Sequence, residues 1–174
     1  MRVQLRHWRE DDAAALSQAV EESLDHLLPW MPWAAGEPKS LEERRELIRT
    51  WERERVERGD EVLGIFVDGR AAGGCGLHRR IGDRGLEIGY WVHAGLLRRG
   101  VATEVVRQLC ERAFARPDVD RVEIHHDRAN AASGGVAAKL GFTQVSDTER
   151  PRQAPGEEGV ERVWRLTRAA FTSR

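Results

Sequence analysis

The clearest hydrophobic pattern in the chain lies between positions 101 and 116, where apolar residues recur at helical spacing. This spacing places them on one face of an amphipathic helix, which Pro117 cannot continue. We therefore predict a helix over residues 101–116. Its apolar face contains Val101, Ala102, Val105, Val106, Leu109, Cys110, Ala113 and Phe114.

The N-terminal part of the chain predicts a strand, a helix and a loop. Residues 2–8 alternate loosely, as a strand does, and Asp11 or Asp12 can then cap a helix that runs to about Leu28. Residues 29–38 contain two tryptophans and three prolines. Such a stretch resists both helix and sheet, so we predict a loop with aromatic surface.

A second helix is predicted after this loop. Ser40 and Glu43 have the spacing of a capping box, and the helix should run to about Arg58, where Gly59 ends it. The residues expected to face the core are Leu41, Leu47, Ile48 and Trp51.

From Glu61 the pattern changes to that of strands. Three apolar runs, EVLGIFV, AAGGCGLHRRI and LEIGYWV, are separated by turn signals at residues 68–69 and 82–85. An Asp-Gly pair between two apolar runs is a strong hairpin signal. These runs therefore predict three consecutive antiparallel strands.

The last third predicts a strand over 119–126, a short helix over about 131–140, and closing strands over 142–145 and 161–167 that the polar stretch 146–159 separates. The predicted order is βααβββαβαββ. This order is typical of an α+β domain in which helices cover a mostly antiparallel sheet. A chain of 174 residues fits one such domain, covering residues 1–174.

Composition and charge exclude several classes of protein. No apolar run approaches the roughly 18 residues of a membrane span, and the start MRVQLRHWREDD lacks the apolar centre of a signal peptide. We therefore expect a cytoplasmic protein without a membrane partner. The 28 basic residues balance 29 acidic ones, which disfavours a nucleic-acid partner.

Cys75 and Cys110 are too few for a disulfide framework and are predicted to be reduced, buried thiols.

Glu87 is the first candidate for chemistry. On a strand, Glu87 shares one face with Gly89 and Trp91, so it projects beside an aromatic ring and an empty glycine position. A carboxylate in such a space could act as a general base near neutral pH. The alternative is a carboxylate paired with an arginine across the sheet, and the strand itself leaves both readings open.

The strand leads into a turn, residues 97–103, which opens directly into the predicted helix. The turn contains Arg98, Arg99 and Gly100, and the first amides of the helix point outwards from it. Guanidinium groups and a helix N-terminus together favour an anion such as phosphate. The turn matches neither the Walker pattern nor the dinucleotide fingerprint, which disfavours those nucleotide enzymes.

Two motifs carry a resemblance to a known family. The segment EIGYWVHAGLLRRGVAT resembles the acyl-CoA signature of the GNAT superfamily of N-acyltransferases, and NAASGGVAAKLGF, residues 130–142, is similar to that superfamily's NxxSxxVxxKLGF segment. EIGYW, together with HLLPWMPWA, resembles the RimJ/RimL branch, which acetylates protein N-terminal amines such as those of ribosomal proteins. The resemblance covers nearly the whole chain and implies a GNAT-like mixed sheet flanked by helices.

The resemblance implies a role for particular residues. In that family the turn amides hold the CoA pyrophosphate, and the strand before the turn pairs with the pantetheine like an added strand. By position, the pyrophosphate cradle is Arg98, Arg99, Gly100, Val101, Ala102 and Thr103, with Trp91, Val92 and His93 beside the pantetheine. Glu87 matches the proposed base, Asn130 the cofactor-contacting residue, and Ser133 the residue proposed to protonate the departing thiolate.

The chain departs from the family pattern at three places. Leu97 stands where Gln or Arg is expected, and Arg98 occupies what is commonly a glycine. Gly134 and Gly135 lie inside the helix of the second motif and should cost it about 1 kcal/mol each relative to alanine. These departures concern cofactor affinity more than the fold.

Further aromatic and histidine residues are candidates for the acceptor end. Trp30 and Trp33 either form a wall of the acceptor site, as substrate-binding residues, or pack against the core. His7, His78 and His93 could each reach an acceptor pocket, and the alternative for each is a position at the surface or the core edge. His125 and His126 are neighbours on a strand and point to opposite faces, so they should not share a metal, and no metal cofactor is expected.

We therefore expect an acetyl-CoA-dependent N-acetyltransferase that transfers an acetyl group directly to a primary amine, with a protein N-terminal amine as the expected acceptor. One alternative is a small-molecule amine or antibiotic acyltransferase. Another is the use of a larger acyl-CoA such as succinyl-CoA, if the Trp-lined pocket has a free arginine. An alternative of another class is a non-catalytic acyl-CoA sensor. The partners are then an acyl-CoA and an amine or peptide acceptor, and a homodimer stays open.

Overall fold

The computed structural model describes residues 1–173, which form a seven-stranded sheet with helices packed on both faces. The strands are β1 (Val3–His7), β2 (Glu61–Val67), β3 (Arg70–His78), β4 (Gly85–Val92), β5 (Arg121–Asp127), β6 (Thr143–Glu149) and β7 (Val160–Thr167). The helices are α1 (Ala13–Glu21), α2 (Leu24–Leu27), α3 (Leu41–Arg58), α4 (Val101–Phe114), α5 (Ala131–Lys139) and α6 (Arg168–Thr172). Short 3-10 turns cover Glu10–Asp12, Pro32–Gly36 and Ala94–Leu96.

The strand order in the sheet is β1-β2-β3-β4-β5-β7-β6. Neighbouring strands run antiparallel except β4 and β5, which are parallel. Among the described residues, β4 and β5 pair only from Gly85 to Glu87 on the β4 side. Beyond Glu87 the two strands separate, and the facing N–H and C=O groups of their backbones are left for another partner. The fold thus contains a slot that opens at Glu87.

Helix α4 is anchored at the back of this slot. Its apolar side chains are completely buried against the sheet, and they include Val101, Val105, Val106 and Leu109. Full burial of one such side chain stabilises the fold by about 1.5–3 kcal/mol. The first turn of α4 is therefore held in a fixed position relative to β4. A second apolar cluster, with Leu16, Val20 and Ile48, packs α1 and α3 against the opposite face of the sheet.

The predicted fold class is confirmed, and every predicted element occurs in the predicted order, with the first helix divided in two and one C-terminal helix added. The structure has the mixed, mostly antiparallel sheet flanked by helices that the resemblance implies. Ser40 and Glu43 form the predicted capping box, and α3 ends at Gly59, whose φ of 73° is left-handed. One expected core contact of α3 is wrong, because Leu41 is 43% exposed. Arg44, one turn later, is buried instead.

The predicted first helix is two helices, α1 and α2, with a break at Ser23. Ser23 is buried, and its Oγ accepts a hydrogen bond from the backbone N–H of Ala94 (3.0 Å). The break therefore joins the N-terminal helices to the loop between β4 and α4. A contact 71 residues away in the chain leaves no signal in the local pattern of apolar residues.

Strand β6 is longer than predicted and α6 was not predicted. All of β6 is exposed, so it lacks the apolar alternation of a half-buried strand, but it pairs with β7 along its length. In α6, the Arg168 guanidinium donates to the backbone carbonyls of Phe114, Arg116 and Val119. Arg168 thus satisfies carbonyl groups at the C-terminal end of α4, which ends at Phe114.

Both cysteines are buried thiols, as predicted. Burial strongly raises the pKa of Cys75, so this thiol stays protonated and unreactive. No helix within residues 1–173 is both long and apolar enough to span a membrane.

Candidate active site

A single cavity of about 1390 Å³ follows the slot between β4 and β5. One end lies at the N-terminus of α4, and the other lies among the loops around residues 29–39 and 150–157. Glu87 and Gly89 line its middle, where β4 leaves β5. The two ends differ in how they are built.

The α4 end is built from backbone. Gly100 precedes the first turn with a φ of 82°, a left-handed conformation that an L-residue adopts only with strain. Val101, Ala102 and Thr103 line the cavity. Their N–H groups belong to the first turn of a helix, so they have no intrahelical acceptor and face the cavity with the positive end of the helix dipole.

The arginines of the turn are placed differently from each other. Arg98 lines the cavity and has a φ of 59°, which explains why glycine is the common residue at this point of the family pattern. Leu97 also lines the cavity and is partly exposed. Arg99 is exposed and lies outside the lining. The turn therefore brings one guanidinium, not two, to the anion site.

The three residues predicted beside the pantetheine differ in where they lie. Trp91 and Val92, at the end of β4, line the cavity. His93 does not line it. Its Nε2 pairs with Glu22 (2.8 Å), and its Nδ1 accepts from the N–H of Gly95 (3.0 Å). His93 thus caps the turn that leads to α4 rather than facing the slot.

The second motif faces the cavity through Asn130 and Ser133. Asn130 caps α5, because its Oδ1 accepts from the backbone N–H of Ser133 (3.3 Å). Ser133 Oγ shares a hydrogen bond with the hydroxyl of Tyr90 on β4 (3.1 Å). Burial raises the pKa of Tyr90, so its hydroxyl is protonated at neutral pH and can donate to Ser133.

Glu87 stands at the mouth of the slot in an ion pair. Both oxygens of its carboxylate accept from Arg80, at 2.8 Å from Nε and 2.7 Å from Nη2. The partner is not across the sheet but in the loop that follows β3. The Glu87 side chain is mostly shielded and faces the cavity, whereas Arg80 is largely exposed. Glu87 is therefore paired with an arginine, as in the pairing alternative, and its side chain also lines the cavity.

The floor beside Glu87 is made of glycines, over which two rings lie. A Cβ on Gly74 would lie 2.7 Å from Trp91 Nε1, and a Cβ on Gly76 would lie 2.6 Å from His78 Nε2. Only glycine therefore lets both rings lie flat on the strand. This accounts for the run of small residues in β3.

The other end of the cavity, around residues 29–39 and 150–157, is called the acceptor end after its predicted role, and aromatic side chains form its walls. Trp33 packs against Trp91 with ring centroids 6.0 Å apart. Five of the six tryptophans of the chain line the cavity, namely Trp8, Trp30, Trp33, Trp51 and Trp91. Trp30 and Trp33 are both among them, and their role in binding an acceptor stays a prediction.

Each arginine that lines the acceptor end is paired with a carboxylate. Besides Arg80, these are Arg44, which pairs with Glu37 (2.6 Å) and is almost fully buried, and Arg150, which pairs with Glu157 (2.9 Å). A buried charge must be paired in this way, because an unpaired one would lose its hydration without compensation.

The two loops of the acceptor end are joined to each other and to the second motif. The backbone N–H of Gly156 donates to the carbonyl of Pro29 (2.9 Å). The buried carboxylate of Asp127 accepts from the backbone N–H groups of Ala129, Glu158, Gly159 and Val160. Asp127 therefore fixes the loop before Asn130 to the loop before β7.

Sequence reasoning missed several residues of this site, including Arg80, Tyr90, Asp127 and the Arg44–Glu37 pair. Tyr90 lies inside the first motif and Asp127 lies three residues before the second, but nothing in the sequence indicates which residues they contact. The residues on loops are brought together only by tertiary structure.

In the part of the chain that the structure describes, no three His, Cys, Asp or Glu side chains are grouped as metal ligands would be.

Comparisons with known proteins agree with this geometry. The sequence profile for an acetyltransferase (GNAT) domain matches residues 2–143. YdaF of Bacillus subtilis (strain 168), provisionally assigned as a ribosomal N-acetyltransferase, is 28% identical over 144 residues, which cover 82% of this chain and 78% of YdaF.

Solved structures share the fold at lower identity. RimL, a ribosomal L7/L12 α-N-protein acetyltransferase in complex with coenzyme A, has a TM-score of 0.86 at 23% identity, covering 97% of this chain and 95% of its own. Mycobacterium smegmatis RimJ, in complex with a CoA disulfide, also has a TM-score of 0.86, at 24% identity, covering 96% and 82%. Since the GNAT profile spans most of the chain, the protein belongs to the GNAT family of acetyltransferases.

Proposed function

We propose that the protein is an acetyl-CoA-dependent N-acetyltransferase that transfers the acetyl group directly to a primary amine, with a protein N-terminal amine as the acceptor. The observation that carries this proposal is the continuity of the cavity. One slot connects the anion site at α4, made for a pyrophosphate, to the carboxylate of Glu87, suited to an ammonium group. A cofactor and an acceptor could therefore meet where β4 separates from β5.

The residues of the α4 end fit coenzyme A. The free first-turn N–H groups and Arg98 would hold the pyrophosphate, and the unpaired edge of β4 could hydrogen-bond the amides of pantetheine as an added strand would. Trp91, Val92 and Asn130 line this path. When bound, acetyl-CoA supplies an acetyl group activated as a thioester.

On the acceptor side, Glu87 would hold the ammonium group of the acceptor. Arg80 donates to one lone pair of each carboxylate oxygen, but each oxygen keeps a further lone pair that can accept from an ammonium N–H. Arg80 also fixes the orientation of the carboxylate. Ser133, backed by the protonated Tyr90, would donate a proton to the departing sulfur.

An N-terminal amine suits the shape of the acceptor end. The hydrogen bond between Gly156 and Pro29 joins the two loops that line it, so a chain end can enter more readily than the middle of a folded segment. The relation to YdaF supports an acceptor of the ribosomal-protein type. The tryptophan walls favour, as a second candidate, a small amine that carries an aromatic group.

The paired arginines bear on the choice of acyl group. The succinyl alternative requires a free arginine for the terminal carboxylate, whereas Arg44, Arg80 and Arg150 already hold Glu37, Glu87 and Glu157. The other cation of this end is Lys39, whose Nζ donates to the carbonyl of Gly36 (3.5 Å). We therefore favour acetyl-CoA over succinyl-CoA.

Acyl transfer measured by mass spectrometry tests the proposal. The protein is incubated with acetyl-CoA or succinyl-CoA and with three sets of acceptors. The first set is peptides with a free N-terminus and an internal lysine, the second is the same peptides with a blocked N-terminus, and the third is small aromatic amines. We expect acetylation of free N-termini and little transfer to the blocked peptides. Binding of acetyl-CoA by calorimetry without transfer to any acceptor would instead establish a sensor.

A further inference from the structure

His78 is a second polar group that faces the reacting end of the slot. It lies directly opposite Glu87 in the pairing of β3 with β4. Its ring extends along β3 over Gly76 and beside Gly89, where a Cβ would lie 3.9 Å from Nε2. Because Gly76 is the cross-strand partner of Gly89, Nε2 lies over the centre of the glycine floor, next to the point where β4 leaves β5.

The other nitrogen of the ring faces a carboxylate. His78 Nδ1 lies 3.5 Å from Asp60 Oδ2, and Asp60 is itself held by the backbone N–H of Arg79, which donates to Oδ1 (2.8 Å). A carboxylate at Nδ1 favours the tautomer in which Nδ1 carries the hydrogen and Nε2 has a free lone pair. The lone pair would then face the cavity.

The charged groups around His78 come from three directions. Asp60 precedes β2, Arg80 lies in the loop after β3, and Glu87 faces the ring from β4. Burial lowers the pKa of His78, and Arg80 lowers it further, while Asp60 and Glu87 act in the opposite sense. The net pKa lies below its ordinary value, so the ring is neutral at neutral pH and can accept a proton.

We propose that His78 Nε2 is the proton acceptor for the amine, that Glu87 holds the ammonium group, and that Asp60 is a positioning residue for the imidazole. This assignment rests on the proposed acetyltransferase function. It gives the two groups at the mouth of the slot different tasks, since Arg80 commits Glu87 to a fixed ion pair whereas His78 Nε2 is neutral and faces the cavity.

The protons balance as follows. His78 Nε2 takes one proton from the acceptor ammonium and becomes imidazolium, and the freed amine attacks the carbonyl carbon of the thioester. The new C–N bond forms as the C–S bond breaks. The second proton leaves the nitrogen, and one proton reaches the sulfur through Ser133 to give the free thiol. The imidazolium finally releases its proton to solvent, so one proton is released for each amide formed.

The first experiment is the pH dependence of kcat/KM for wild-type protein and the variants His78→Gln, Asp60→Asn and His7→Gln. His7 is the matched control, because it contacts Glu61 (3.4 Å) away from the cavity lining. We expect kcat for His78→Gln to fall about a hundredfold, a typical contribution of a general base, and the low-pH limb of its profile to disappear. Acetyl-CoA affinity should stay unchanged, which shows that the variant is folded.

Asp60→Asn should move the low-pH limb to lower pH, because the contact with Asp60 raises the pKa of His78. His7→Gln should leave both rate and profile as in wild type. A His78→Gln enzyme with wild-type kcat and an unchanged low-pH limb would overturn the assignment.

A titration that does not depend on activity separates this assignment from the proposed function. The ring C–H signal of His78 is followed by NMR in the free protein and identified by its absence in His78→Gln. A midpoint below about 6.5, the ordinary histidine value, is expected, and a midpoint above about 7 would overturn the assignment. Absence of acetyl transfer by wild-type protein at any pH would instead overturn the acetyltransferase proposal, whatever the His78 midpoint.

Discussion

The two ends of the cavity are built in opposite ways. The α4 end, where we propose that acetyl-CoA binds and which we call the cofactor end, comes from one continuous segment, β4, its turn and the start of α4, and its polar groups are mostly backbone amides. The acceptor end comes from side chains on α3, β3, β4 and the two loops, and it depends on pairs such as Arg44 with Glu37. A backbone site needs glycine and helix geometry, whereas a side-chain site can change its residues freely. The cofactor end can therefore keep one chemistry while the acceptor end changes its substrate.

The largest expected effect concerns the acceptor end alone. Glu87→Gln removes the charge that holds the acceptor ammonium, so kcat/KM for the amine should fall by about a hundredfold, as expected when one partner of a hydrogen-bonded charge pair is lost. Acetyl-CoA affinity, measured by calorimetry, should stay similar because Glu87 lies outside the α4 turn. Glu52→Gln, in the surface pair with Arg55, is the matched control and should leave both quantities unchanged. Unchanged turnover in Glu87→Gln would remove this residue from the proposed role.

The second largest effect is expected at Asp127, whose carboxylate joins the loop before Asn130 to the loop before β7. Asp127→Asn replaces an acceptor of backbone N–H groups by a group that also donates, and it should destabilise the fold by about 2 kcal/mol in urea unfolding. Both acetyl-CoA affinity and acceptor KM should worsen, since the loops of both ends move. An effect confined to one end would show that the two ends are not mechanically joined here.

The same residue predicts a pH dependence. Burial alone would raise the pKa of Asp127, but the four N–H donors more than compensate, and its pKa lies below the ordinary value. A lowered folded-state pKa adds stability above the unfolded pKa, near 4, and this stability is lost as the pH falls through the lower folded value. Asp127→Asn should lose this part of the acid dependence, which unfolding at pH 5 and pH 3 measures.

The contrast between the ends also decides what could be predicted from the sequence. The α4 turn was placed correctly because Gly100, the apolar face of α4 and the strand before them are neighbours in the chain. Arg80 and Asp60 were not found, since Arg80 meets Glu87 only after β3 pairs with β4, and Asp60 meets His78 only after β2 pairs with β3. The break at Ser23 was missed for the same reason. The local pattern of apolar residues indicates helices, strands and the turns between them. It does not indicate which distant segments contact each other in the folded chain.

A smaller effect tests the backbone character of the cofactor end. Gly100→Ala has open space around the new Cβ, so its cost is the left-handed φ alone, about 1–2 kcal/mol. Acetyl-CoA affinity should fall, because a relaxed turn misdirects the first amides of α4. Gly135→Ala is the matched control, since its Cβ also meets open space but lies in a helix interior, and it should stabilise by about 0.5–1 kcal/mol. Equal effects of the two variants would contradict the role of the Gly100 conformation.

The smallest effect separates charge from conformation in the same turn. Arg98→Gly relieves a left-handed arginine, worth about 1–2 kcal/mol, but it adds freedom to the unfolded chain, so the net gain should be below about 1 kcal/mol. Its loss of charge should weaken acetyl-CoA binding several-fold at low salt, with little difference at 1 M salt, where the screening length is about 3 Å. Arg98→Lys keeps both the charge and the strain, so it should bind like wild type and gain no stability. If Arg98→Gly binds acetyl-CoA as tightly as wild type at low salt, the cofactor end holds its anion by backbone amides alone, and the contrast between the two ends is sharper still.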